Sequence, residues 1–331
     1  MLELVLVVVI IALALIFDFG NGFNDAANSV STVVATRVLS LRNAVILAAF
    51  SNFIAAFIFG VAVATTIGKG IIDSSVVTLW IIFSGLIGAI VWVYVTTFFG
   101  LPISASHSLI GGYIGSALAA VGTSAVMWGG VLKVALFIFL APMAGLVTAF
   151  ALFILVLFFV HKTHPSKVNN YFKKLQLISV FAYSLSHGTN DAQKTMGIIA
   201  ITLFTAGLLG ATFHVPFWVV IVSHLTIALG TLAGGKKVVK TVGLKITRLN
   251  PIHGFCAETA GAGTIIASSI MGIPVSTTHV ISGAIIGVGA TRRISAIRWR
   301  IARKMLLAWF FTIPISALIG AITYFIISLF I

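Results

Sequence analysis

Apolar residues in this chain are grouped into long blocks that short polar or basic stretches separate. The blocks cover residues 2–37, 43–67, 76–99, 102–121, 127–160, 175–207, 215–235, 251–272, 274–290 and 303–330. Most of them reach the length of about 20 residues that an α-helix needs to cross a bilayer. The pattern therefore predicts an all-α polytopic membrane protein with about ten membrane segments.

Two of these blocks are interrupted, and two are short. Gly20, Asn21 and Gly22 interrupt the first block, and His187 with Gly188 interrupts the sixth. We expect a broken helix in each, in which the Asn and Asp residues that follow cap a second half-helix. The fourth and ninth blocks are rich in serine, threonine and glycine, so they are either full crossings or re-entrant segments.

The composition agrees with a membrane location. Of the 331 residues, 60% are hydrophobic and 8% are charged, whereas a soluble domain carries roughly 25% charged residues. This balance excludes most water-soluble enzymes and disordered regions. The lone cysteine, Cys256, lies in an apolar block, so the chain forms no intramolecular disulfide and a packed thiol is expected.

The chain is strongly basic, with 20 Lys and Arg residues against six acidic residues and a formal net charge of +14. Most of the basic residues fall in four loops, within residues 37–42, 162–174, 236–248 and 292–304. With about ten crossings these loops share one side of the membrane, which the positive-inside rule assigns to the cytoplasm. We therefore expect a plasma-membrane protein with both termini outside the cytoplasm, and no binding of nucleic acid.

Two motifs occur twice, in the same order, in the two halves of the chain. Gly22–Asn28 matches Gly188–Lys194 at an offset of 166 residues, and Pro102–His107 matches Pro274–His279 at an offset of 172. An odd number of segments in each half makes the second half enter the membrane in the opposite orientation. We predict two inverted-topology repeats and a cytoplasmic linker between them, with boundaries at 1–160, 161–174 and 175–331.

Three acidic residues lie inside apolar blocks. Asp25 and Asp191 occupy equivalent positions of the first motif, each directly after an asparagine, and Glu258 lies in the eighth block. A charge there costs several kcal/mol unless it faces protein, water or an ion. Oxygen ligands from Asp and Asn suit Na⁺, so the motif predicts cation coordination, with structural capping as the alternative. The remaining acidic residues lie near block ends, where we expect contact with water: Glu3, Asp18 and Asp73.

The second motif carries hydroxyl groups where a helix is expected to begin. Proline favours the first turn of a helix. Free backbone N–H groups, hydroxyl donors and the positive end of the dipole together form an anion site. Two such turns related by inversion can converge on one oxyanion, and packing of hydroxyls between membrane helices is the alternative. The candidate anion ligands are Ser104, Ser106, Ser276, Thr277 and Thr278.

Other polar residues of the two motifs are candidates for accessory contacts. His107 and His279 are interpreted as hydrogen-bonded helix histidines, with proton relay as the alternative. Lys194 is expected to pair with Asp191 or to attract an anion. The full accessory set is Asn28, His107, Gln193, Lys194, Thr195 and His279.

The two kinds of motif together indicate coupled transport. A doubly charged oxyanion does not cross a low-dielectric region alone, whereas two monovalent cations bound beside it give a neutral load. No Walker A sequence is present, so transport is expected to be secondary. The neighbours Ser106 and His107 point about 100° apart on a helix and form no nucleophile–base pair. We therefore expect no enzyme activity and no cofactor besides the coupling ion.

At these residues the chain resembles the inorganic phosphate transporter (PiT) family, over nearly its whole length. The resemblance is carried by Gly22–Asn28, His187–Lys194, Ala257–Gly261 and Pro274–His279. It implies cation-coupled phosphate uptake, inverted repeats, a central anion site and a homodimer. It assigns the hydroxyl residues of the second motif to phosphate, and it assigns to the cation sites Asn24, Asp25, Asn190, Asp191 and Glu258. Ala105 departs from the repeat, because the second copy has Thr277 there.

The resemblance leaves the coupling ion and the anion open. Na⁺ is favoured and H⁺ is the second choice for the coupling ion. Sulfate shares the size and shape of phosphate, but it lacks the proton that phosphate carries near neutral pH and that a carboxylate accepts. A sulfate permease of the same fold is therefore the nearest alternative to a phosphate transporter. An anion channel and a membrane-embedded phosphatase are more distant alternatives.

Overall fold

The computed structural model describes residues 2–101, 103–234 and 246–330. Within these ranges the chain is helical and contains no named strand, which confirms the all-α prediction. The helices are α1 (Leu2–Ala35), α2 (Leu41–Ile54), α3 (Ala62–Lys69), α4 (Leu79–Phe98), α5 (Ala105–Val121), α6 (Trp128–Val160), α7 (Pro165–Thr205), α8 (Phe217–Ala233), α9 (Pro251–Ile270), α10 (Thr277–Ala290) and α11 (Trp299–Ser328). Because α7 begins at Pro165, most of the predicted linker (161–174) lies in the first turns of this helix.

Many polar side chains are buried and many large apolar side chains are exposed, although an apolar core is also present. Helix α6, for example, exposes Phe139, Met143 and Val147 by 70%, 53% and 58%. Among the described helices, four are long and apolar enough to cross a membrane: α1, α4, α6 and α11. The α2–α3 region is also long and apolar enough if its two bent parts are taken as one span. The exposed surface therefore suits a hydrocarbon environment, while the count of ten segments stays a prediction.

The predicted breaks in the first and sixth blocks are wrong, because α1 and α7 run through them without interruption. The glycines allow close backbone packing instead. A Cβ at Gly22 would lie 2.3 Å from the Ile227 carbonyl oxygen, and a Cβ at Gly188 would lie 2.8 Å from the Asn52 backbone. A helical glycine costs about 1 kcal/mol relative to alanine, which such packing offsets. The observed break lies between α2 and α3, which meet at 81°.

Helices α5 and α10 begin inside the protein. Their N-caps are Ser104 and Ser276, whose hydroxyls accept hydrogen bonds from the backbone of the first turn. With 17 and 14 residues, they are about 26 and 21 Å long, less than the roughly 30 Å of a bilayer core. Pro274 lies two residues before Ser276, the N-cap of α10, so the prediction that this proline lies in the first turn is wrong. Pro102 lies outside the described residues.

The two halves of the chain are packed into each other. Helix α5 packs most extensively against α11, and α10 packs against α6. A Cβ at Gly283 would lie 2.2 Å from the Pro142 carbonyl oxygen, so these backbones are in close contact. Helices α1 and α7 also pack together, and they run antiparallel because Asp25 lies near His187 whereas Thr36 contacts Gln176.

Candidate functional site

Two buried carboxylates face each other at the centre of the protein, Asp25 on α1 and Asp191 on α7. Each is 2% exposed. His187 lies one turn before Asp191, and its Nε2 atom is 3.3 Å from Asp191 Oδ2 and 3.8 Å from Asp25 Oδ2. Ligand atoms of these three residues lie within 4.8 Å of one another. The structure therefore brings together two of the three predicted acidic cation ligands, at a distance suited to a shared ion.

The first turn of α10 contacts both carboxylates. The Thr277 hydroxyl lies 3.2 Å from Asp25 Oδ2 and 3.3 Å from Asp191 Oδ2. The Thr278 hydroxyl lies 3.3 Å from Asp25 Oδ1. A hydroxyl has one proton to donate, so Thr277 cannot satisfy both carboxylates at once. The result is a cluster of carboxylate and hydroxyl oxygens, which are the ligands that hard cations prefer.

Lys194 is fully buried in the same centre. Its ammonium group forms the predicted ion pair with Asp191 and also donates to the Ser106 hydroxyl. A third hydrogen bond, 3.1 Å long, reaches the Val275 carbonyl. The positive charge therefore lies between the first turn of α5 and the segment that leads into α10.

The predicted anion ligands fall into two groups. Ser106, Thr277 and Thr278 lie in the first turns of α5 and α10, next to the central carboxylates or to Lys194. Ser104 and Ser276 are the N-caps, and they accept from the backbone N–H groups three residues later at 3.2 and 3.3 Å. The two helix N-termini meet at this centre, because the Ser106 hydroxyl donates to the carbonyl of Val275.

The asparagines of the first motif brace the surrounding helices. Asn24 donates to the Thr97 hydroxyl at 2.6 Å, and Asn190 donates to the Ser269 hydroxyl at 2.8 Å. Neither has a hydrogen bond to the central carboxylates among the described contacts. Because both asparagines lie inside continuous helices, the predicted capping of half-helices by the Asn-Asp pairs is wrong.

Glu258 lies in a separate buried site. Its carboxylate accepts hydrogen bonds from the side chains of Thr32, Gln176 and Ser179, of which the Gln176 bond is 2.9 Å. Thr32 follows Asp25 by two helical turns, so this site is about 10 Å from the centre along α1. The structure therefore divides the predicted cation ligands between two places.

The accessory residues have different surroundings. Asn28 donates to Thr278 at 2.7 Å, and Gln193 accepts from the first backbone N–H groups of α3. The rings of His107 and His279 pack edge to face with centroids 4.8 Å apart, and Thr195 lies beside Asp18. Asn28 and the two histidines therefore lie near the helix N-termini, whereas Gln193 supports α3.

Two residues have surroundings that the sequence pattern does not predict. His187 lies where the pattern predicts a helix break, yet it contacts the central carboxylates. Asp18 is not near water as expected but 0% exposed, because the polar face of α1 points into the protein. The signal for Asp18 was its position seven residues before Asp25, two turns away on the same helical face. Glu3 and Asp73 are exposed as predicted.

A buried centre that combines carboxylates, hydroxyls and a lysine inside an all-helical membrane protein is typical of a membrane transporter. The model of the phosphate transporter family matches residues 21–320. The chain therefore belongs to this family, and the resemblance to PiT proteins is confirmed.

Individual relatives agree with this family. The chain is 55% identical over 320 residues to a probable low-affinity inorganic phosphate transporter of Rhizobium meliloti (strain 1021), covering 97% of this chain and 96% of the relative. A protein with the same description from Bacillus subtilis (strain 168) is 42% identical over 332 residues, with 98% of each chain covered. A solved structure described as the sodium-dependent phosphate transporter matches with a TM-score of 0.91 and 28% identity, covering 99% of this chain and all of that chain.

Proposed function

We propose that this chain imports inorganic phosphate by symport with a cation, Na⁺ in preference to H⁺. The observation that carries the proposal is that carboxylate oxygens, which suit a cation, and hydroxyl and backbone donors, which suit an anion, share one buried centre. Asp25 and Asp191 supply carboxylate oxygens, and the N-termini of α5 and α10 bring hydroxyls and a positive dipole end to the same place. The similarity to a sodium-dependent phosphate transporter supports Na⁺ as the coupling ion.

The charges of the centre explain why the two substrates depend on each other. Two carboxylates oppose a dianion, so phosphate binds only when cations or Lys194 compensate them. Cations that occupy the carboxylates also release the hydroxyl of Thr277, which now contacts Asp25 and Asp191. The freed hydroxyl and the helix N-termini can then donate to phosphate oxygens. Ordered binding of cation and phosphate follows from this competition.

Inverted repeats are supported by hydrogen bonds that occur in pairs. The Ser106 hydroxyl donates to the Val275 carbonyl, and the Thr278 hydroxyl donates to the Ile103 carbonyl. The two donors, Ser106 and Thr278, are 172 residues apart, and so are the two acceptors, Ile103 and Val275. This separation equals the repeat offset. The antiparallel packing of α1 and α7 agrees with the same relationship. Alternating access then comes from movement of one part of the repeat pair against the other.

The membrane orientation and assembly are part of the same proposal. The side with the basic loops is assigned to the cytoplasm, and both termini lie outside it, in the plasma membrane. Some of the basic residues that favour this orientation, Lys236 to Lys245, lie outside the described residues. The homodimer that the family resemblance implies stays a prediction.

Uptake of radiolabelled phosphate into proteoliposomes tests the function. We expect an inward Na⁺ gradient to drive saturable uptake, and excess sulfate to leave it unchanged. Uptake driven only by a proton gradient would replace Na⁺ with H⁺, and inhibition by sulfate would favour the sulfate permease. Flux that neither saturates nor depends on a second ion would indicate a channel.

A further inference from the structure

Asp18 is a buried acidic residue to which no cationic side chain in the described part of the chain donates a hydrogen bond. It lies on α1 and is 0% exposed, and among the residues that the structure describes only the Thr195 hydroxyl acts on its carboxylate as a hydrogen-bond neighbour. An ionised carboxylate is strongly unfavourable in such surroundings unless an opposite charge compensates it. An ionised Asp18 carboxylate therefore needs a cation beside it.

The cationic side chains that act on Asp18 are already engaged with other groups. Lys194 has three ammonium protons, and all three are donated elsewhere, to Ser106, Asp191 and the Val275 carbonyl. His187 lies against Asp191 at 3.3 Å. Both act on Asp18 through space only. Three buried carboxylates thus share at most two positive charges, and either a proton on one carboxyl group or a mobile cation supplies the remaining compensation.

Two further oxygen ligands are available around Asp18. Thr195 is itself 0% exposed, and in the described part of the chain its hydroxyl has no hydrogen-bond partner besides the Asp18 carboxylate. Asn21, one turn further along α1, is fully buried, and both polar atoms of its amide lack a described partner. Carboxylate, hydroxyl and amide oxygens are the ligands of hard cations.

We propose that Asp18, Thr195 and Asn21 form an additional cation site that binds Na⁺. The site lies on the opposite side of the centre from Glu258. Asp18 precedes Asp25 by seven residues, and Thr32, which donates to Glu258, follows it by seven. Each flanking site is therefore about 10 Å from the centre along α1, and the carboxylates form a path along the α1–α7 interface.

The additional site belongs to one half of the chain only. At the repeat offset of 166, Asp18 corresponds to Ser184 and Thr195 to Ser29, so the equivalent place has hydroxyls but no carboxylate. Under the proposed function, on which this inference rests, the N-terminal half of α1 faces outward. Asp18 is then the first carboxylate that an entering Na⁺ meets, before the ion reaches Asp25.

Equilibrium binding of radiolabelled Na⁺ to the purified full-length protein tests the site without phosphate transport. We expect Asp18→Asn to bind one Na⁺ fewer per chain than the wild type at saturating Na⁺. Asp73→Asn is the matched control, because it removes the same charge from an exposed carboxylate, and it should bind as many Na⁺ as the wild type. Thr195→Val should keep the wild-type number of ions but bind Na⁺ about tenfold more weakly.

If Asp18→Asn binds as many Na⁺ ions as the wild type, the additional site is overturned. The proposed function is tested separately, and Na⁺-driven phosphate uptake by the wild type would still support it. Loss of one ion in Asp18→Asn without any Na⁺-driven uptake by the wild type would support the site and reject the proposed coupling. If Asp18→Asn fails to elute as a single species in gel filtration, Thr195→Val decides. An unchanged Na⁺ affinity in Thr195→Val overturns the site.

Discussion

The side-chain amide of Asn28 donates a 2.7 Å hydrogen bond to the hydroxyl of Thr278, 250 residues away. At the repeat offsets, Asn28 corresponds to Lys194 and Thr278 to Ser106, and Lys194 donates to Ser106 in the same manner. The last residue of each Asn-Asp motif thus holds the first turn of the short helix in the opposite half. One of these contacts is neutral and the other is charged, so the two halves share a geometry but differ in charge.

Replacement of the charged member of this pair should abolish transport. Lys194→Met leaves Asp191 buried without its cation, and breaking a buried ion pair costs about 3–5 kcal/mol. We expect phosphate uptake to fall by at least about a hundredfold and the melting temperature to decrease. Lys133→Met, at an exposed lysine, should retain uptake. Wild-type uptake by Lys194→Met in proteoliposomes would exclude a role for this charge.

The central carboxylates should determine the cation dependence. We expect Asp25→Asn to raise the Na⁺ concentration for half-maximal uptake about tenfold or more, because the amide keeps the shape but removes the charge that attracts Na⁺. Phosphate uptake measured against Na⁺ concentration reports this shift. Glu3→Gln removes an exposed carboxylate and serves as the control. An unchanged Na⁺ dependence in Asp25→Asn would place the cation elsewhere.

The hydroxyl of Thr277 should matter more than its methyl group. Thr277→Val is nearly isosteric but removes the donor shared by Asp25 and Asp191, so we expect uptake to fall about tenfold to a hundredfold. Thr277→Ser keeps the hydroxyl and should retain most of the uptake. Thr264→Val is the control, because Thr264 bonds only within its own helix, to the Ala260 carbonyl at 2.9 Å. Equal uptake by the valine and serine variants would mean that the hydroxyl has no part in binding.

Close packing at Gly22 should limit stability. A Cβ there would lie 2.3 Å from the Ile227 carbonyl oxygen, so Gly22→Ala forces α1 and α8 apart at a cost of about 1–3 kcal/mol. We expect a lower melting temperature in detergent. Gly263→Ala, a helical position where a Cβ meets nothing within 4 Å, should stabilise by up to about 1 kcal/mol. A Gly22→Ala protein as stable as the wild type would show that the helices adjust freely.

The sequence predicted which residues meet at the centre better than it predicted the path of the helices. The repeated motifs correctly brought Asp25, Asp191 and Lys194 together, because a charge in an apolar block must find a partner. The breaks at the glycines were wrong, since the local signal of Gly22 cannot reveal the backbone of Ile227 that packs on it. The burial of Asp18 was missed for a related reason. Distance from a block end does not report which face of a helix points inward.

Helices of one half of the chain pack against helices of the other half, and this affects folding during synthesis. Helix α5 has its most extensive contact with α11, which the ribosome synthesises after all the other described helices. Until then the part of α5 around Gly111 and Gly115, which packs against Ile313 and Ala317, lacks the protein surface that buries it in the finished molecule. Contacts of such long sequence separation form slowly and expose unpaired surface meanwhile. A truncation before Trp299 should therefore destabilise the first half of the chain, and not merely shorten the second.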